Sequence, residues 1–517
     1  MTSLEPLWTP DALARATQGR WLVAPGRGWA PTQISYNLLT DHAPGHVIVC
    51  MTPVSWAKYR PDTAPALARW VRGGASAAIV QREQLAGVRA LGLPRAFPLL
   101  LVKDTRFALS HLGRAARRRF AGVVVALTGT VGKTTTREMI RCALAGAGAG
   151  PVIATAGNNN NIPGVERTIA STPARAGACV CEMGFGEPRR GIATSSRRLR
   201  PHVAVITRVS AAHLDVLKPE EQRDPAAVEL IAAAKCGIFE GLEPDGVAVL
   251  GRDHEHFERA REAAARRGAR ALSYGLHPDA DARLLDCALA PDGTRVRCRV
   301  GGQALEFRLP IIGRHMAVNA VGALAVTHAV GVNLREAAAA LEGFEAARGR
   351  AQRVTIPVGQ AGRATLIDDS FNATPASVRS TLELLRLVAG DTRRAIAVLG
   401  DIAHLGERSP ELHAALASAV EDAQVDQVLT VGPMMRRLHD ALPEARRGPH
   451  ADGLESLYAA LRERLRDDDV VTVKASIPAG LARIAAALRE GRDALPPERG
   501  PTSHAAGRAQ TRADADD

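Results

Sequence analysis

The stretch Val123 to Cys142, VVVALTGTVGKTTTREMIRC, contains the features that decide the fold around it. Its first five residues, Val123 to Leu127, form an apolar run of strand length. A turn with two glycines follows, and Lys133 then opens a pattern typical of a helix. A strand, a tight glycine turn and a helix N-terminus together predict an anion site. The first helical turn leaves backbone N–H groups unpaired, and the helix dipole favours negative charge.

Side chains at the start of this helix have the chemistry of a nucleotide-phosphate site. Lys133 is expected to reach the terminal phosphates, and the Thr134 hydroxyl to bind a Mg²⁺ that bridges them. The other candidate members of the site are Thr130, Gly132 and Thr135. We call residues 129–134 the phosphate loop. The usual pattern has a glycine at the position of Leu127, so a solvated turn between strand and helix remains an alternative.

Length and composition predict a soluble protein of several domains. A chain of 517 residues is too long for one ordinary domain, and its 46% apolar residues suffice for buried cores. Aromatic residues make up only 3%, so Ala, Val and Leu must fill those cores. The seven cysteines contain no CxxC pair, which is typical of a reduced cytoplasm. No apolar run approaches the ~18–20 residues that span a bilayer, so we expect a cytoplasmic protein without membrane insertion.

The net charge of +12 permits three interpretations. Nucleic-acid binding is one, and it predicts an affinity that falls steeply with salt. The arginines, however, are scattered among acidic residues, so we expect no nucleic acid. Basic character also suits an anionic, phosphate-rich substrate, and compositional drift without functional meaning is the third interpretation. Only six of the 66 basic residues are lysines, and three of these, Lys133, Lys235 and Lys474, fall in the motifs discussed here. A retained lysine indicates amine chemistry or a point-charge phosphate contact.

The pattern of apolar runs predicts an α/β chain divided into three domains and a tail. Residues 1–118 alternate short β-type runs with helices, and residues 119–346 repeat strand, loop and Ala-rich helix as in a doubly wound sheet. Three alternating segments near residues 283–309 predict an antiparallel flap after the parallel strands. Residues 347–494 form a second, Rossmann-like βα series without a dinucleotide-binding glycine motif. Residues 495–517 are expected to be disordered.

Polar residues cluster where the central strands end, and ligands bind at that edge of such sheets. Glu182 ends one predicted strand and His213 follows another, so both are candidate metal ligands, although a helix cap or a surface group is the alternative for each. Four consecutive asparagines, Asn158 to Asn161, form a loop dense in amide groups that suits a polar substrate or phosphate. A plain Asx-turn loop is the alternative there.

The order of these motifs resembles that of the Mur ligase family over about residues 100 to 490. The resemblance is carried by TGTVGKTTTREM (128–139), TAGNNNNIPGV (155–165), CEMGFGEPRRGIA (181–193), VAVITRVSAAHLD (203–215), AAAKCGIF (232–239), GRHMAVNAVGA (313–323), IDDSFNATPASV (367–378), AVLGDIAHLGE (397–407) and VVTVKAS (470–476). It implies a three-domain ligase that uses ATP to form an amide through an acyl phosphate. The N-terminal domain would take a UDP-sugar peptide, the central domain Mg-ATP, and the C-terminal domain an amine such as D-alanyl-D-alanine.

The resemblance also implies roles for individual residues. Lys133, Lys235 and His213 would be catalytic, and Lys235 would carry a carbamate, a CO₂ adduct that turns a cation into an anionic metal ligand. The metal ligands would be Thr134, Glu182, His213 and carbamylated Lys235. The ATP site would comprise Thr130, Gly132, Lys133, Thr134, Thr135, His315, Asn319, Arg350 and Asp368. The substrate side would comprise Asn158, Asn161 and Asn372.

Three stretches depart from the family pattern. Ile34-Ser-Tyr-Asn-Leu-Leu stands where a DSR-like uridine-site motif is usual, Val473 to Gly480 replaces a more basic turn, and Val131 replaces a commoner Asn. These departures lie mostly at the substrate ends, while the ATP motifs are intact. A ligase for a different acid and amino acid therefore remains an alternative, as does a non-catalytic nucleotide-binding homologue. The protein is expected to be a monomer.

Overall fold

The structure is a computed structural model that describes residues 6–36, 43–52, 62–185, 191–210, 227–290, 292–359 and 361–496. Three β-sheets follow one another along the chain, with five, nine and six strands. Each sheet is flanked by helices, as the alternating βα pattern of the sequence predicts. The α/β class and the three-sheet organisation are thereby confirmed, and the domain limits at residues 118, 346 and 494 stay proposals.

The first sheet has the strand order β1-β5-β4-β3-β2, and its strands are parallel except for β1, which is antiparallel to β5. Its strands are β1 (Arg20–Val23), β2 (Gln33–Ser35), β3 (His46–Val49), β4 (Ala77–Gln81) and β5 (Leu99–Val102). Its helices are α1 (Pro10–Thr17), α2 (Leu67–Arg72), α3 (Leu85–Ala90) and α4 (Thr105–Arg119). Helix α4 leads directly to the first strand of the second sheet, as the sequence predicts.

The central sheet has the order β14-β13-β12-β11-β10-β9-β6-β8-β7. Its strands are β6 (Val123–Thr128), β7 (Val152–Ala154), β8 (Ala178–Glu182), β9 (Val203–Ile206), β10 (Val247–Gly251), β11 (Arg270–Gly275), β12 (Ala282–Ala290), β13 (Gly293–Val300) and β14 (Gln303–Leu309). The helices are α5 (Lys133–Gly146), α6 (Ile162–Ala170), α7 (Gly191–Leu199), α8 (Ala227–Cys236), α9 (Phe257–Ala265), α10 (Arg314–Val330) and α11 (Leu334–Leu341).

Strand β6 determines where the site lies. It pairs in parallel with β8 on one side and with β9 on the other, so the carboxyl ends of the three strands meet. From β6 the chain runs to β7 and β8 on one side of this strand and then crosses to β9 on the other side, and ligands bind at such a switch point in parallel sheets. The predicted antiparallel flap is confirmed as β12, β13 and β14, and it continues the central sheet beyond β11.

The third sheet has the order β15-β16-β20-β17-β18-β19. Its strands are β15 (Gln352–Val358), β16 (Gly362–Asp368), β17 (Ala395–Gly400), β18 (Gln427–Val431), β19 (Arg447–Ala451) and β20 (Val470–Lys474). Its helices are α12 (Pro375–Ala389), α13 (Ser409–Ala414), α14 (Ala417–Asp422), α15 (Met435–Ala441), α16 (Leu454–Arg464) and α17 (Ala482–Arg489). The parallel series is preceded by an antiparallel pair, β15 and β16, which the sequence analysis did not foresee.

The first and central sheets share one hydrophobic core that extends from Leu7 to Ala264. Helix α4 packs against α6 across this core. At the polar edge of the contact, Arg167 Nε donates to the carbonyl of Ile34 at 3.0 Å, and the Ile34 N–H donates to Ser171 Oγ at 3.1 Å. Strand β2, which contains the start of the altered motif, is therefore fixed to α6 and the residue that caps it, whereas the motif from Asn37 to Leu39 lies outside the described residues.

The C-terminal segment of the chain follows the third sheet. Leu495 still packs on the core of that sheet, and the remaining predicted tail from residue 497 lies outside the described residues. Among the helices of the described ranges, none is long and apolar enough to cross a membrane.

Candidate active site

The phosphate loop leaves the buried end of β6 and enters α5 at Lys133. Both glycines of the loop are needed because neighbouring side chains lie too close to leave room for a Cβ, and Gly132 also because of its backbone angle. A Cβ at Gly129 would lie 1.9 Å from Thr207 Oγ1, and one at Gly132 would lie 2.9 Å from Asn319 Oδ1. Gly132 also has a φ of +86°, which L side chains rarely adopt. The loop can therefore run close to both neighbours only because these positions lack side chains.

The loop is tied to the segment that follows β9. Thr130 N donates to the Arg208 carbonyl at 2.6 Å, and the Thr207 hydroxyl donates to the Val131 carbonyl at 2.7 Å. Thr130 Oγ1 also donates to the carbonyl of Ser210 at 3.2 Å. These bonds fix the position of the loop at the carboxyl ends of β6 and β9. The next residues, including the candidate ligand His213, lie outside the described residues.

Two lysines meet at one carbonyl of the loop. Lys133 Nζ donates to Gly129 O at 2.9 Å and to Thr130 O at 3.2 Å, while Lys235 Nζ from α8 donates to Gly129 O at 3.0 Å. Lys235 is fully buried. Burial, and to a lesser extent the neighbouring Lys133, lower the pKa of Lys235 well below its ordinary value. The site thus concentrates positive charge and contains an amine with an enlarged neutral fraction.

Glu182, at the end of β8, faces this cationic loop. Its Oε2 accepts from Thr134 Oγ1 and from Arg137 Nη1, both at 3.0 Å, and its Oε1 accepts from Asn160 Nδ2 at 2.9 Å. The side chain is almost fully buried. Arg137 Nη1 also donates to the Gly157 carbonyl at 2.8 Å, so the arginine joins the asparagine loop to the same carboxylate.

The linker that leads into the third sheet reaches the site through Arg350. Its Nη2 donates to Thr134 Oγ1 at 3.0 Å, and its guanidinium carbon lies 4.2 Å from the ring centroid of Phe371. A shallow cleft beside this contact is lined by Thr134, Thr135, Glu138, Ile311, Met316, Phe344, Ala346, Ala347 and Arg350. Residues that belong to the elements of the central sheet and residues of the linker therefore converge on one helix N-terminus.

A second polar cluster lies behind Arg350 in the third sheet. The buried Lys474 Nζ donates to Asp369 Oδ2 and, at 3.1 Å, to the carbonyl of Asn372. The hydroxyl of Thr381 donates to the same Asp369 oxygen at 2.6 Å. Burial lowers the pKa of Lys474, and the Asp369 carboxylate opposes that shift.

The structure brings most of the predicted residues together. Those at the helix N-terminus and its surroundings are Thr130, Gly132, Lys133, Thr134, Thr135, Glu182, Lys235, Asn319 and Arg350. His315 lies in the first turn of α10, the helix that also carries Asn319. Their assignment to ATP, metal and catalysis stays a prediction.

Other predicted residues have different surroundings. Asp368 accepts from Arg489 Nη2 at 2.7 Å and from Ser370 Oγ at 2.6 Å, within the third sheet. Asn161 caps α6 by accepting from Gly164 N at 3.0 Å, and it also accepts from the hydroxyl of Tyr36. The side chains of Asn158 and Asn372 are exposed. In this structure Asn160, rather than Asn158 or Asn161, contacts Glu182.

Sequence reasoning missed Arg137, Asn160, Asp369 and Phe371. A signal for Arg137 existed, because residues three apart on a helix share a face and Arg137 is three residues after Thr134. Asp369 and Phe371 stand in the quoted motif IDDSFN, but the motif alone does not tell which carboxylate faces the linker. Asn160 could not be chosen among four neighbouring asparagines without the path of the loop.

The donor set suits Mg²⁺. That ion prefers oxygen ligands and is usually held by one or two carboxylates together with substrate phosphates. Thr134 Oγ1 and Glu182 Oε2 are 3.0 Å apart beside the loop that would hold those phosphates. Within the described ranges, which leave out His213, no cluster of three or more His, Cys, Asp or Glu side chains could hold a metal.

Replacing Gly132 with alanine is expected to impair nucleotide binding, because the new Cβ would press on Asn319 and the backbone angle would be strained. The strain alone should cost about 1 kcal/mol of folding free energy. Gly148→Ala is the matched control, since its φ of +78° is similar but an added Cβ would have no neighbour within 4 Å. Thermal unfolding should show similar losses for both, whereas titration with AMPPNP and Mg²⁺ should separate them. Equal nucleotide affinities for Gly132→Ala and Gly148→Ala would contradict the conclusion that the loop needs glycine at position 132 to bind nucleotide.

Known proteins resemble this chain over most of its length. Residues 127–327 match the model of the Mur ligase middle domain, and residues 349–477 match that of the Mur ligase glutamate ligase domain. UDP-N-acetylmuramoyl-tripeptide–D-alanyl-D-alanine ligase of Escherichia coli (strain K12) is 29% identical over 420 residues, which cover 81% of this chain and 86% of that protein. The protein of the same name from Mycobacterium bovis is 30% identical over 407 residues, covering 74% and 76%. A crystal structure of MurF from Acinetobacter baumannii superposes with a TM-score of 0.73 at 26% identity, covering 94% and 99%.

Proposed function

Because the chain belongs to the Mur ligase family, we propose that it joins D-alanyl-D-alanine to the carboxylate of a UDP-N-acetylmuramoyl tripeptide, with ATP converted to ADP and phosphate. The reaction supplies a precursor of peptidoglycan. The quoted sequence motifs imply the same chemistry, and the relatives of that name cover most of the chain.

One observation carries the proposal. The hydroxyl of Thr134, the second residue of the helix that begins at Lys133, contacts both Glu182 and Arg350. A carboxylate from the central sheet and a guanidinium from the linker therefore meet at the N-terminus of α5. This arrangement suits a polyphosphate, because the helix dipole, Lys133 and Arg350 supply positive charge while Glu182 is placed to share a divalent cation.

The chemistry requires activation of an acid. A carboxylate is a poor electrophile, because attack must add electrons to an anion. Its oxygen attacks the γ-phosphorus of ATP, the bond to the β-phosphate oxygen breaks, and an acyl phosphate and ADP result. The amine then attacks the acyl carbon, and a tetrahedral intermediate expels phosphate to leave the amide. Lys133 and Arg350 are placed to stabilise the charge that spreads over the transferring oxygens.

Mg²⁺, held by Thr134 and Glu182 together with the phosphates, would neutralise charge on the β- and γ-oxygens. Asn160 and Arg137 orient the Glu182 carboxylate, since both donate to it. The Arg137 guanidinium already offsets part of the negative charge of Glu182. His213 and a carbamate on Lys235 are the candidates for further metal ligands. The neutral amine is the form that adds CO₂, and the lowered pKa of Lys235, caused first by burial and then by Lys133, favours that form.

Four further assignments belong to this proposal. Residues 1–118 would bind the UDP-sugar peptide, residues 119–346 Mg-ATP and residues 347–494 the amine. His315 and Asn319, on the first turns of α10, would lie beside the nucleoside, because Asn319 packs on Gly132 and Met316 lines the adjoining cleft. Closure of the third domain would exclude water from the acyl phosphate. We further propose that the protein acts as a cytoplasmic monomer.

The test is turnover by the purified full-length chain. With UDP-N-acetylmuramoyl tripeptide, D-alanyl-D-alanine and Mg-ATP, we expect phosphate and amide product in equal amounts. L-alanyl-L-alanine, which differs only in configuration, is the matched control and should give little product. No product from the muramoyl acid, with turnover on another acid, would reject the cell-wall substrate. Nucleotide binding without turnover on a panel of acids would instead favour the non-catalytic homologue.

A further inference from the structure

We propose that Phe371 is a positioning residue that holds the Arg350 guanidinium against the Thr134 hydroxyl, so that a residue of the third sheet sets the affinity of the phosphate loop for nucleotide. This inference rests on the proposed function, since it assigns nucleotide to that loop. Phe371 is not placed to touch the reacting atoms itself. Its effect would pass through Arg350.

The backbone fixes the two residues beside each other. Arg350 lies in the linker between α11 and β15, and Phe371 follows β16. Phe371 N donates to the carbonyl of Gly349 at 3.2 Å. Gly349 has a φ of +73°, and a Cβ there would lie 3.0 Å from Phe371 Cβ. The linker can therefore pass this close to the backbone and Cβ of Phe371 only because residue 349 is glycine.

The ring contacts the charged end of the arginine. The guanidinium carbon lies 4.2 Å from the ring centroid of Phe371, within the range in which an aromatic face attracts a cation. A planar guanidinium can stack on the ring and still donate in its own plane. Here Nη2 donates to Thr134 Oγ1 at 3.0 Å. The ring thus restricts the orientation in which the arginine reaches the phosphate loop.

Two carboxylates act on Arg350. Burial lowers its pKa, and Glu182 and, less strongly, Asp369 oppose that shift. Glu182 is on the Thr134 side, since its Oε2 accepts from Thr134 Oγ1, whereas Asp369, the competing carboxylate, is already engaged because its Oδ2 accepts from Lys474 and Thr381. A guanidinium released from the ring could turn towards Asp369 or water, because a free arginine side chain has many rotamers. With the ring present and Lys474 paired to Asp369, the arginine stays directed at Thr134.

Phe371→Leu removes the ring face and keeps an apolar side chain, whereas Phe371→Tyr keeps the face. Titration of the full chain with AMPPNP and Mg²⁺ should show a dissociation constant about fivefold higher for Phe371→Leu and little change for Phe371→Tyr. In turnover assays the leucine variant should raise KM for ATP more than it lowers kcat. Phe307→Leu, a buried phenylalanine in β14, is the control for packing and should lower Tm without changing nucleotide affinity.

The decisive measurement is a double-mutant cycle with Arg350→Ala. If the ring acts through the arginine, Phe371→Leu should have no further effect on nucleotide affinity once Arg350 is absent. An undiminished effect in that background, or wild-type affinity for Phe371→Leu, would overturn the inference. Binding is measured without acid or amine, so a failure of the proposed ligase reaction would appear separately, as normal nucleotide affinities without product.

Discussion

Replacing Lys133 with alanine is expected to reduce ATP-dependent amide formation about 100-fold or more, which is the usual effect of losing a charge that stabilises a transition state. Lys133 opens α5 and its amine lies over the carbonyls of Gly129 and Thr130, beside the buried Lys235. Alanine would keep the helix, because it is a good helix former, but would remove the cation from the loop. Phosphate release and amide product measure the loss.

Lys103→Ala is the matched control for this change. Lys103 is exposed and lies in the first part of the chain, between β5 and α4. It should retain wild-type turnover and nucleotide affinity. Circular dichroism should show both variants folded. Product formation at the wild-type rate by Lys133→Ala would mean that the phosphate site has been placed wrongly.

Replacing Lys235 with alanine is expected to lower turnover by about 10- to 100-fold, the range found when a group that supports a metal site is removed. A small carboxylate such as acetate should restore part of the activity by occupying the space of the proposed carbamate. The physical basis is the complete burial of Lys235 and its lowered pKa, which together favour the neutral amine that adds CO₂.

Lys235→Met is the control for packing, since it fills the same space without an amine. It should fold at least as stably as the wild type, because burial of a polar amine is unfavourable whether it is charged or neutral, and acetate should not restore its activity. Full activity of Lys235→Ala without added carboxylate would contradict the carbamate. Rescue of the alanine and methionine variants alike would show that acetate acts elsewhere.

The buried parallel strands were predictable because their sequences are continuous apolar runs. The predicted strand Val123–Leu127 is one residue shorter than β6, and the strand predicted to end at Glu182 does end there, as β8. The missed strands β15 and β19 are the two edges of the third sheet. Each contains a proline, which an edge strand tolerates because its outer N–H groups need no partner. Edge position depends on the whole sheet, so local sequence does not reveal it.

The site was predictable where a motif fixes the backbone path. Lys133 and Thr134 follow a strand and a glycine turn, and this order places them at a helix N-terminus. Which carboxylate lies near the site was harder to predict, because successive side chains along a strand and its continuation point to opposite faces. Asp368 ends β16 and turns to Arg489, while Asp369 turns towards Lys474 and the linker. The motif predicted that a carboxylate matters there, but the choice between the two needed the packing of α17 and β20.

The central claim is that the phosphate loop serves to transfer a phosphoryl group to the acid before the amine attacks. The most direct test uses an acid substrate whose reacting carboxylate is labelled with ¹⁸O. If an acyl phosphate forms, one oxygen of that carboxylate leaves with the phosphate, so mass spectrometry should find the label in the released phosphate in equal amount to the amide. Released phosphate that carries no label, in reactions that do form the amide, would contradict the account.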